Sequence, residues 1–369
     1  MYGVIGACLL SASAGMAADV PSVRLATSPS RETVTVVLGD PPAAFVREER
    51  QIGLAEGATD LELSWAGTKL AADSLEVAPI DPGAELQISG PVLPADRPQL
   101  ARWTLTAPRA MRVPLSITYL MNGLTWAPEY TLTFGETPGR MGLAAVAAIK
   151  NDSGEDFESA RVDLGLSAPI TVDLEAGATL RVPYLDAANV SYQLVHVHDA
   201  KAGGDTLVRL DLENTIDAGL GAAPLPAGKV RMYGDFHGRT PDERIFTGEF
   251  NLPYTPVGAR AEVVVATGNE VTVERRVIVS RQVDVKKDVH GRLALYNQEE
   301  EIAFLVESLR DNDILLRIVE TIEGEWRMLS NSHEFEKQDA EHIEFIVPVP
   351  AHDEVTVKYK VRKLNLVPR

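Results

Sequence analysis

The chain is almost without thiols: its one cysteine is Cys8. That residue falls in a start, Met1 to Ala18, that has no charged side chain and runs Val4-Ile5-Gly6-Ala7-Cys8-Leu9-Leu10 into small residues. An apolar core followed by Ala14-Gly15-Met16-Ala17-Ala18 has the form of a secretory signal, residues 1–18, and is short for a bilayer span. The segment lacks the Lys or Arg that usually opens such a signal. Export would leave a chain with no thiol, which excludes disulfides, thiolate catalysis and cysteine-ligated metals. Ile5-Gly6-Ala7-Cys8 also resembles a lipoprotein box, an alternative that would put a lipid anchor on Cys8; most of the apolar run follows the cysteine rather than preceding it. No other stretch approaches eighteen uninterrupted apolar residues, so no transmembrane span is expected after signal removal.

Positive charge is also short. Lys and Arg total 35 against 53 Asp and Glu, a net charge of −18. That balance works against a nucleic-acid partner, whose phosphates need clustered cations. The spacings that mark common catalytic sites are missing as well: there is no G-x-S-x-G, H-E-x-x-H, Walker-type loop or complete G-x-G-x-x-G. Gly219-Leu220-Gly221 starts like a dinucleotide fingerprint but runs into Pro224, and reads as a loop. No cofactor is implied.

What the chain does have is a period of two. Thr33-Val34-Thr35-Val36-Val37-Leu38 ends at Gly39-Asp40-Pro41-Pro42, and Leu61-Glu62-Leu63-Ser64-Trp65 alternates before Gly67. Trp103 to Thr106, Leu115 to Tyr119 and Val355 to Val361 follow the same rule. Short alternating runs bounded by turn residues are the form of half-buried strands. The expected class is all-β: two or three antiparallel sandwich-like domains, the last immunoglobulin-like. The blocks are 20–135, with a Pro-rich link at Pro91, Pro94 and Pro98, then 140–282, and finally a C-terminal sandwich of roughly seven strands over 283–369. Glu299 to Ile322 carries helix-forming residues, yet Asp311-Asn312-Asp313 breaks it and Ile314 to Val319 is rich in β-branched side chains. Two strands joined by an Asp-Asn turn are favoured, with a short helix at a sandwich edge as the alternative.

Three features carry a chemical expectation. His196-Val197-His198-Asp199 puts two imidazoles on one strand face, so His196, His198 and Asp199 are candidate metal ligands. Zn²⁺ suits that donor set better than a harder cation. Two imidazoles do not define a site, and His237, His290, His333, His342 and His352 show no completing spacing; the competing reading is a polar strand face beside a turn. Asn151-Asp152-Ser153-Gly154-Glu155-Asp156 suggests calcium superficially, but its glycine stands at the wrong loop position and a β-turn explains it. Trp65, Trp103, Trp126 and Trp326 could stack sugars beside carboxylates, although core packing accounts for most of them.

Several segments, in order, resemble a known family: Ala44-Phe45-Val46-Arg47-Glu48-Glu49-Arg50, Ser74 to Val77, Tyr119-Leu120-Met121-Asn122-Gly123-Leu124-Thr125-Trp126-Ala127-Pro128-Glu129-Tyr130, Ile149 to Asp156, Leu225 to Tyr233, Tyr296-Asn297-Gln298 and Phe345 to Ala351. Together they are similar to bacterial envelope proteins carrying domain of unknown function 4139, the mucoidy-inhibitor-A-like group. The chain lacks the extra N-terminal domain and coiled coil of longer relatives. The resemblance implies a β-rich exported protein and brings no catalytic residues. On the residues alone, each motif also has a structural explanation: Trp126, Tyr119 and Tyr130 supply apolar area, and Asn122-Gly123 is a hairpin-turn signal.

The functional expectation is an exported, non-enzymatic, periplasmic or extracellular protein that serves as an envelope-associated scaffold or interaction protein for a protein partner. The alternatives are a carbohydrate-binding or carbohydrate-active protein, and a metal-dependent enzyme using His196 and His198.

Overall fold

A computed structural model describes residues 30–39, 43–135, 137–166, 168–234 and 245–368. The signal-like segment, Cys8 and His237 lie outside them. Among the described residues there is no helix, and so none long and apolar enough to cross a membrane. The class is all-β. The chain divides into two compact units, Met1–Trp126 with Ile149–Leu180, and Ala127–Ala148 with Arg181–Arg369. These boundaries differ from the linear blocks drawn from the sequence, because strand pairing joins segments that lie far apart along the chain.

The first unit has a six-stranded sheet in the order Ile170–Leu174, Phe157–Asp163, Thr33–Val37, Ala43–Leu54, Met111–Asn122, Leu70–Pro79. A three-stranded sheet runs Gly57–Ser64, Leu100–Ala107, Gln87–Val92. Alternation decides which side chains go inward. Val34 and Val36, Ala44, Val46, Ile52 and Leu54, and Val113, Leu115, Ile117 and Met121 are all buried, as are Leu61, Trp103 and Leu105 of the smaller sheet.

The Asn122-Gly123 turn does not close a paired hairpin. Met111–Asn122 pairs with Ala43–Leu54 and Leu70–Pro79, whereas Leu124–Phe134 belongs to the larger sheet described next. Gly123 has a φ of 86°, and a Cβ there would lie 2.7 Å from the Asp152 carbonyl oxygen, so the dipeptide serves a close backbone crossing instead.

In the second unit the larger sheet is ordered Phe246–Leu252, Gly228–Tyr233, Leu124–Phe134, Arg140–Asn151, Thr179–Asp199, Ile314–Thr321, His342–Val349, Phe335–Lys337. Leu207–Glu213 also pairs with Thr179–Asp199 and carries Arg260–Thr267 on its other side. A four-stranded sheet runs Val271–Lys287, Leu293–Ser308, Glu354–Leu366, Trp326–Asn331. One core gathers Tyr130, Leu132, Leu143, Val190, Leu210 and Val230. The other packs Phe304, Val306, Val357 and Tyr359 against Leu316, Ile318, Phe345 and Val347, so two sheets enclose it from either side.

Residues 299–322 form parts of two strands, Leu293–Ser308 and Ile314–Thr321, with Asp311-Asn312-Asp313 between them. The β-branched and aromatic content of that core outweighs local helix propensity. Thr33–Val37 with Phe157–Asp163, Thr179–Asp199 with Ile314–Thr321, and Gly228–Tyr233 with Leu124–Phe134 are parallel pairs within otherwise antiparallel-rich sheets. Long connections make them possible.

Candidate functional site: a cavity lined by paired carboxylates

The strand Ala43–Leu54 breaks the rule it otherwise obeys. Its inward positions read Ala44, Val46, Glu48, Arg50, Ile52, Leu54, so two charged side chains point into an apolar layer. Glu48 is 2% exposed and Arg50 8%. Burying charge is tolerable only when it is paired and hydrogen-bonded, and here it is. Arg50 donates through Nε at 2.8 Å and Nη2 at 2.6 Å to Glu48 Oε2, and the Tyr119 hydroxyl donates to Glu48 Oε1 at 2.5 Å. Arg31 Nε lies 2.8 Å from the same oxygen.

Arg31 reaches further. It pairs with Glu155, donates through Nη1 to the Asp156 carbonyl at 2.9 Å, and stands 5.2 Å from the centroid of the Phe157 ring. Burial pushes Glu48 up, but Arg31, Arg50 and the Tyr119 hydroxyl outweigh it and hold the carboxyl below the usual glutamate range. Tyr119 moves the other way: burial, then the charge of Glu48, raises its pKa well above that of a free phenol.

These groups border a cavity of about 310 Å³, near the lower end of the ~300–1,000 Å³ expected for small-molecule sites. Its wall includes Glu48, Arg50, Tyr119, Glu62, Glu155 and Trp65, with Leu63, Leu70 and Leu100 as apolar surface. Glu62 accepts from Arg102 Nε at 2.9 Å and Nη2 at 2.6 Å, while Arg97 stands 3.7 Å away.

The loop that looked like a calcium turn is what places Glu155. Asn151 and Ser153 are buried, and Asn151 Nδ2 donates to the Glu155 and Leu174 carbonyls at 2.8 and 3.0 Å. Asn151 Oδ1 accepts from the Ser153 hydroxyl at 2.6 Å and the Ser153 amide at 3.1 Å. The acidic members are otherwise occupied: Asp152 pairs with Lys150, and Asp156 Oδ1 caps the Ala176 amide. Gly154, at φ 85°, leaves no room for a Cβ against the Gly67 carbonyl, so the Trp65–Thr68 turn sits directly on this loop. Segments around residues 48, 119 and 155 that are remote in sequence thus meet at one cavity.

The tryptophans divide. Trp65 and Trp103 are buried, and only Trp65 lines this cavity. Half-buried Trp126 donates Nε1–H to the Leu38 carbonyl at 3.1 Å; half-buried Trp326 donates to Ala340 at 2.9 Å and lies under Lys337.

His196 and His198 belong to the second unit. They share one face of Thr179–Asp199, each 4% exposed, beside the buried Leu316 and Ile318 of the neighbouring strand. Asp199 is the next residue, on the opposite face and exposed, and its Oδ1 caps the turn by accepting from the Lys201 and Ala202 amides at 2.9 and 3.0 Å. Among the described residues no three His, Cys, Asp or Glu side chains group as a metal would require. The nearby buried acid, Glu320, is held by Arg275 Nη2 at 2.8 Å and the Tyr359 hydroxyl at 2.9 Å. Burial lowers the His198 pKa, more than Asp199 and Glu320 raise it, and its Nδ1 is buried without a hydrogen-bond partner.

The cavity was missed in the sequence for a specific reason. Glu48 and Arg50 sit in a run, Arg47-Glu48-Glu49-Arg50, that reads as an ordinary solvated charge cluster. The available signal was parity: they fall on the same alternation as Val46 and Ile52. The chain matches no known protein-family model and no curated protein.

Proposed function

We propose that this is an exported recognition protein of the bacterial envelope, without catalysis, whose first unit binds a neutral, hydroxyl-rich ligand of the saccharide class. The observation that carries the reading is that every carboxylate of the cavity wall is already paired. Glu48, Glu62 and Glu155 are bonded by the guanidiniums of Arg31, Arg50 and Arg102, and Arg97 stands 3.7 Å from Glu62. An ionic ligand would have to break one of these pairs in a partly desolvated site, whereas a polyol can use the remaining carboxylate lone pairs as acceptors. Leu63, Leu70, Leu100 and Trp65 offer apolar surface for the C–H face of a sugar ring.

The state of Glu48 favours binding over a role as general acid. A general acid needs a carboxyl whose pKa is raised toward neutrality, and Glu48 is pushed in the opposite direction. Tyr119 is too weak an acid to act as a base in its ionised form. The apolar, uncharged start of the chain and the resemblance to envelope proteins support the exported location.

The test is titration of the purified chain with glucose and N-acetylglucosamine, followed by calorimetry and by saturation-transfer NMR. Binding that weakens at least about tenfold in Glu62→Gln or Glu155→Gln, with the melting temperature little changed, is the expected result. No binding of either sugar at millimolar concentration, or binding indifferent to both substitutions, overturns the assignment.

A further inference from the structure

Two connections of the second unit, 214–227 and 253–259, leave Leu207–Glu213 and Phe246–Leu252 and lead into Gly228–Tyr233 and Arg260–Thr267. Asn214, 0% exposed, pins them to each other. Its Nδ2 donates to the Ala223 and Thr255 carbonyls, both at 3.0 Å, and its Oδ1 accepts from the Gly221 amide at 2.9 Å. The Asn214 carbonyl accepts from the Gly258 amide at 2.8 Å, and Leu225 and Thr255 exchange backbone bonds at 2.9 and 2.8 Å. A buried amide that bridges both loops holds them as one body.

What this body displays is apolar. Ile216 is 81% exposed, Tyr254 60% and Val257 53%, and Pro253 and Pro256 are exposed beside them. Asp217 is the only charged side chain of the two connections, in a chain where 24% of the residues are charged. Large apolar side chains grouped at loop tips, rather than scattered singly, mark an interaction surface.

The backbone at these tips suits a medium without water. The Leu220 and Gly219 amides donate to the Thr215 and Ile216 carbonyls at 2.9 Å, and the Ala259 amide to the Pro256 carbonyl at 3.1 Å. The Thr255 hydroxyl donates to the Pro253 carbonyl at 2.9 Å. Pro253 and Pro256 have no N–H to leave unpaired. A lipid interior requires such internal satisfaction, whereas a protein partner would use open carbonyls.

Charge narrows the choice of lipid. Asp217 follows Ile216 directly, and the net charge of −18 opposes approach to an anionic surface. We propose that this apex docks the second unit onto a zwitterionic lipid bilayer. Ile216 and Val257 enter the interface, the Tyr254 ring lies at headgroup level, and the ion pair of Glu213 with Arg260, 2.7 Å at the base of the loops, stays in water. Anchoring by three side chains is reversible and crosses nothing. The surface belongs to the second unit and is independent of the saccharide reading of the first.

Co-sedimentation of the full chain with sucrose-loaded phosphatidylcholine vesicles, over a series of lipid concentrations, tests this. The expected result is partition that rises with lipid and survives about 0.5 M salt, which screens charge but not apolar contact. Ile216→Ser and Val257→Ser should each weaken it about tenfold, the loss of one buried aliphatic side chain. Replacing part of the phosphatidylcholine by phosphatidylglycerol should also weaken it. Val289→Ser removes a side chain that is 96% exposed elsewhere in the same unit, and should leave partition unchanged. Circular dichroism checks that each variant is folded. No partition at millimolar phosphatidylcholine, binding to the anionic vesicles alone, or equal losses in Ile216→Ser and Val289→Ser overturns the proposal.

Discussion

Glu48 and Glu320, one in each unit, are held by the same kinds of group: each buried carboxylate accepts a tyrosine hydroxyl and a guanidinium that donates through both Nε and Nη2. The settings differ. Glu48 and Tyr119 come from adjacent strands of one sheet, whereas Glu320 bonds across the sandwich, from the larger sheet to Tyr359 and Arg275 of the four-stranded one. In both places the charge is bought into the interior by neighbours that satisfy it from several sides.

Removing a partner is therefore more damaging than its exposed surface suggests. Tyr119→Phe deletes one donor to an ionised acceptor and should lower stability by about 1.5–3 kcal/mol. Glu48→Gln puts a neutral amide where the buried Arg50 and Arg31 met a carboxylate and should cost about 3–5 kcal/mol. Urea denaturation at neutral pH measures both, and equal losses in the two variants would contradict this ranking.

Acid should loosen the second unit through Glu299. Hydrogen bonds from Arg281 and Arg362, then Lys360, hold this carboxyl at about 2. Its folded pKa lies below its unfolded value, so its stabilising contribution is full above about 4.3 and is lost as pH falls from there toward 2. The stability difference between wild type and Glu299→Gln should accordingly shrink with acidification. A difference independent of pH from neutrality to pH 3 would refute it.

His198 predicts a second, milder pH effect. Burial lowers its pKa, so the unfolded chain takes up the proton first and stability falls as pH drops below about 6.5. His198→Leu should reduce the slope of stability against pH in that window, by at most about one proton. An unchanged slope would show that the imidazole titrates alike in both states.

Two glycines separate backbone strain from steric overlap. Gly154 and Gly177 both have positive φ, 85° and 78°, but only Gly154 would drive a Cβ into a neighbouring carbonyl; around Gly177 the space is open. Gly177→Ala should cost about 1–2 kcal/mol from conformation alone. Gly154→Ala should cost clearly more and also weaken the sugar binding proposed above, because the Trp65 turn rests on it. Similar melting temperatures for the two variants would argue against the overlap.

Much of the fold was legible because alternation is a local property. The runs Thr33–Leu38 and Leu61–Trp65 fall in strands except for their last residues, Val355–Val361 lies wholly within one, and the Asp311-Asn312-Asp313 turn stands between two strands. Partners were not legible: nothing local shows that Thr33–Val37 lies beside Phe157–Asp163, or that Asn122-Gly123 sends the chain to another sheet. The His196 and His198 spacing showed that the two imidazoles share a face but not that the face is buried. The cavity was hidden for the converse reason, since Glu48 and Glu155 look like surface charges until strands remote in sequence fold over them.

The interrupted path of the first unit also constrains how it can be made. Its six-stranded sheet includes Phe157–Asp163 and Ile170–Leu174, which emerge from the ribosome after the stretch 127–148 that belongs elsewhere. A fragment ending near residue 135 would lack both strands and the Asn151 loop that anchors Glu155. The amino-terminal half thus has to wait, incompletely zipped, until about residue 180 has been synthesised, and any attempt to dissect the protein must keep that late segment with the early one.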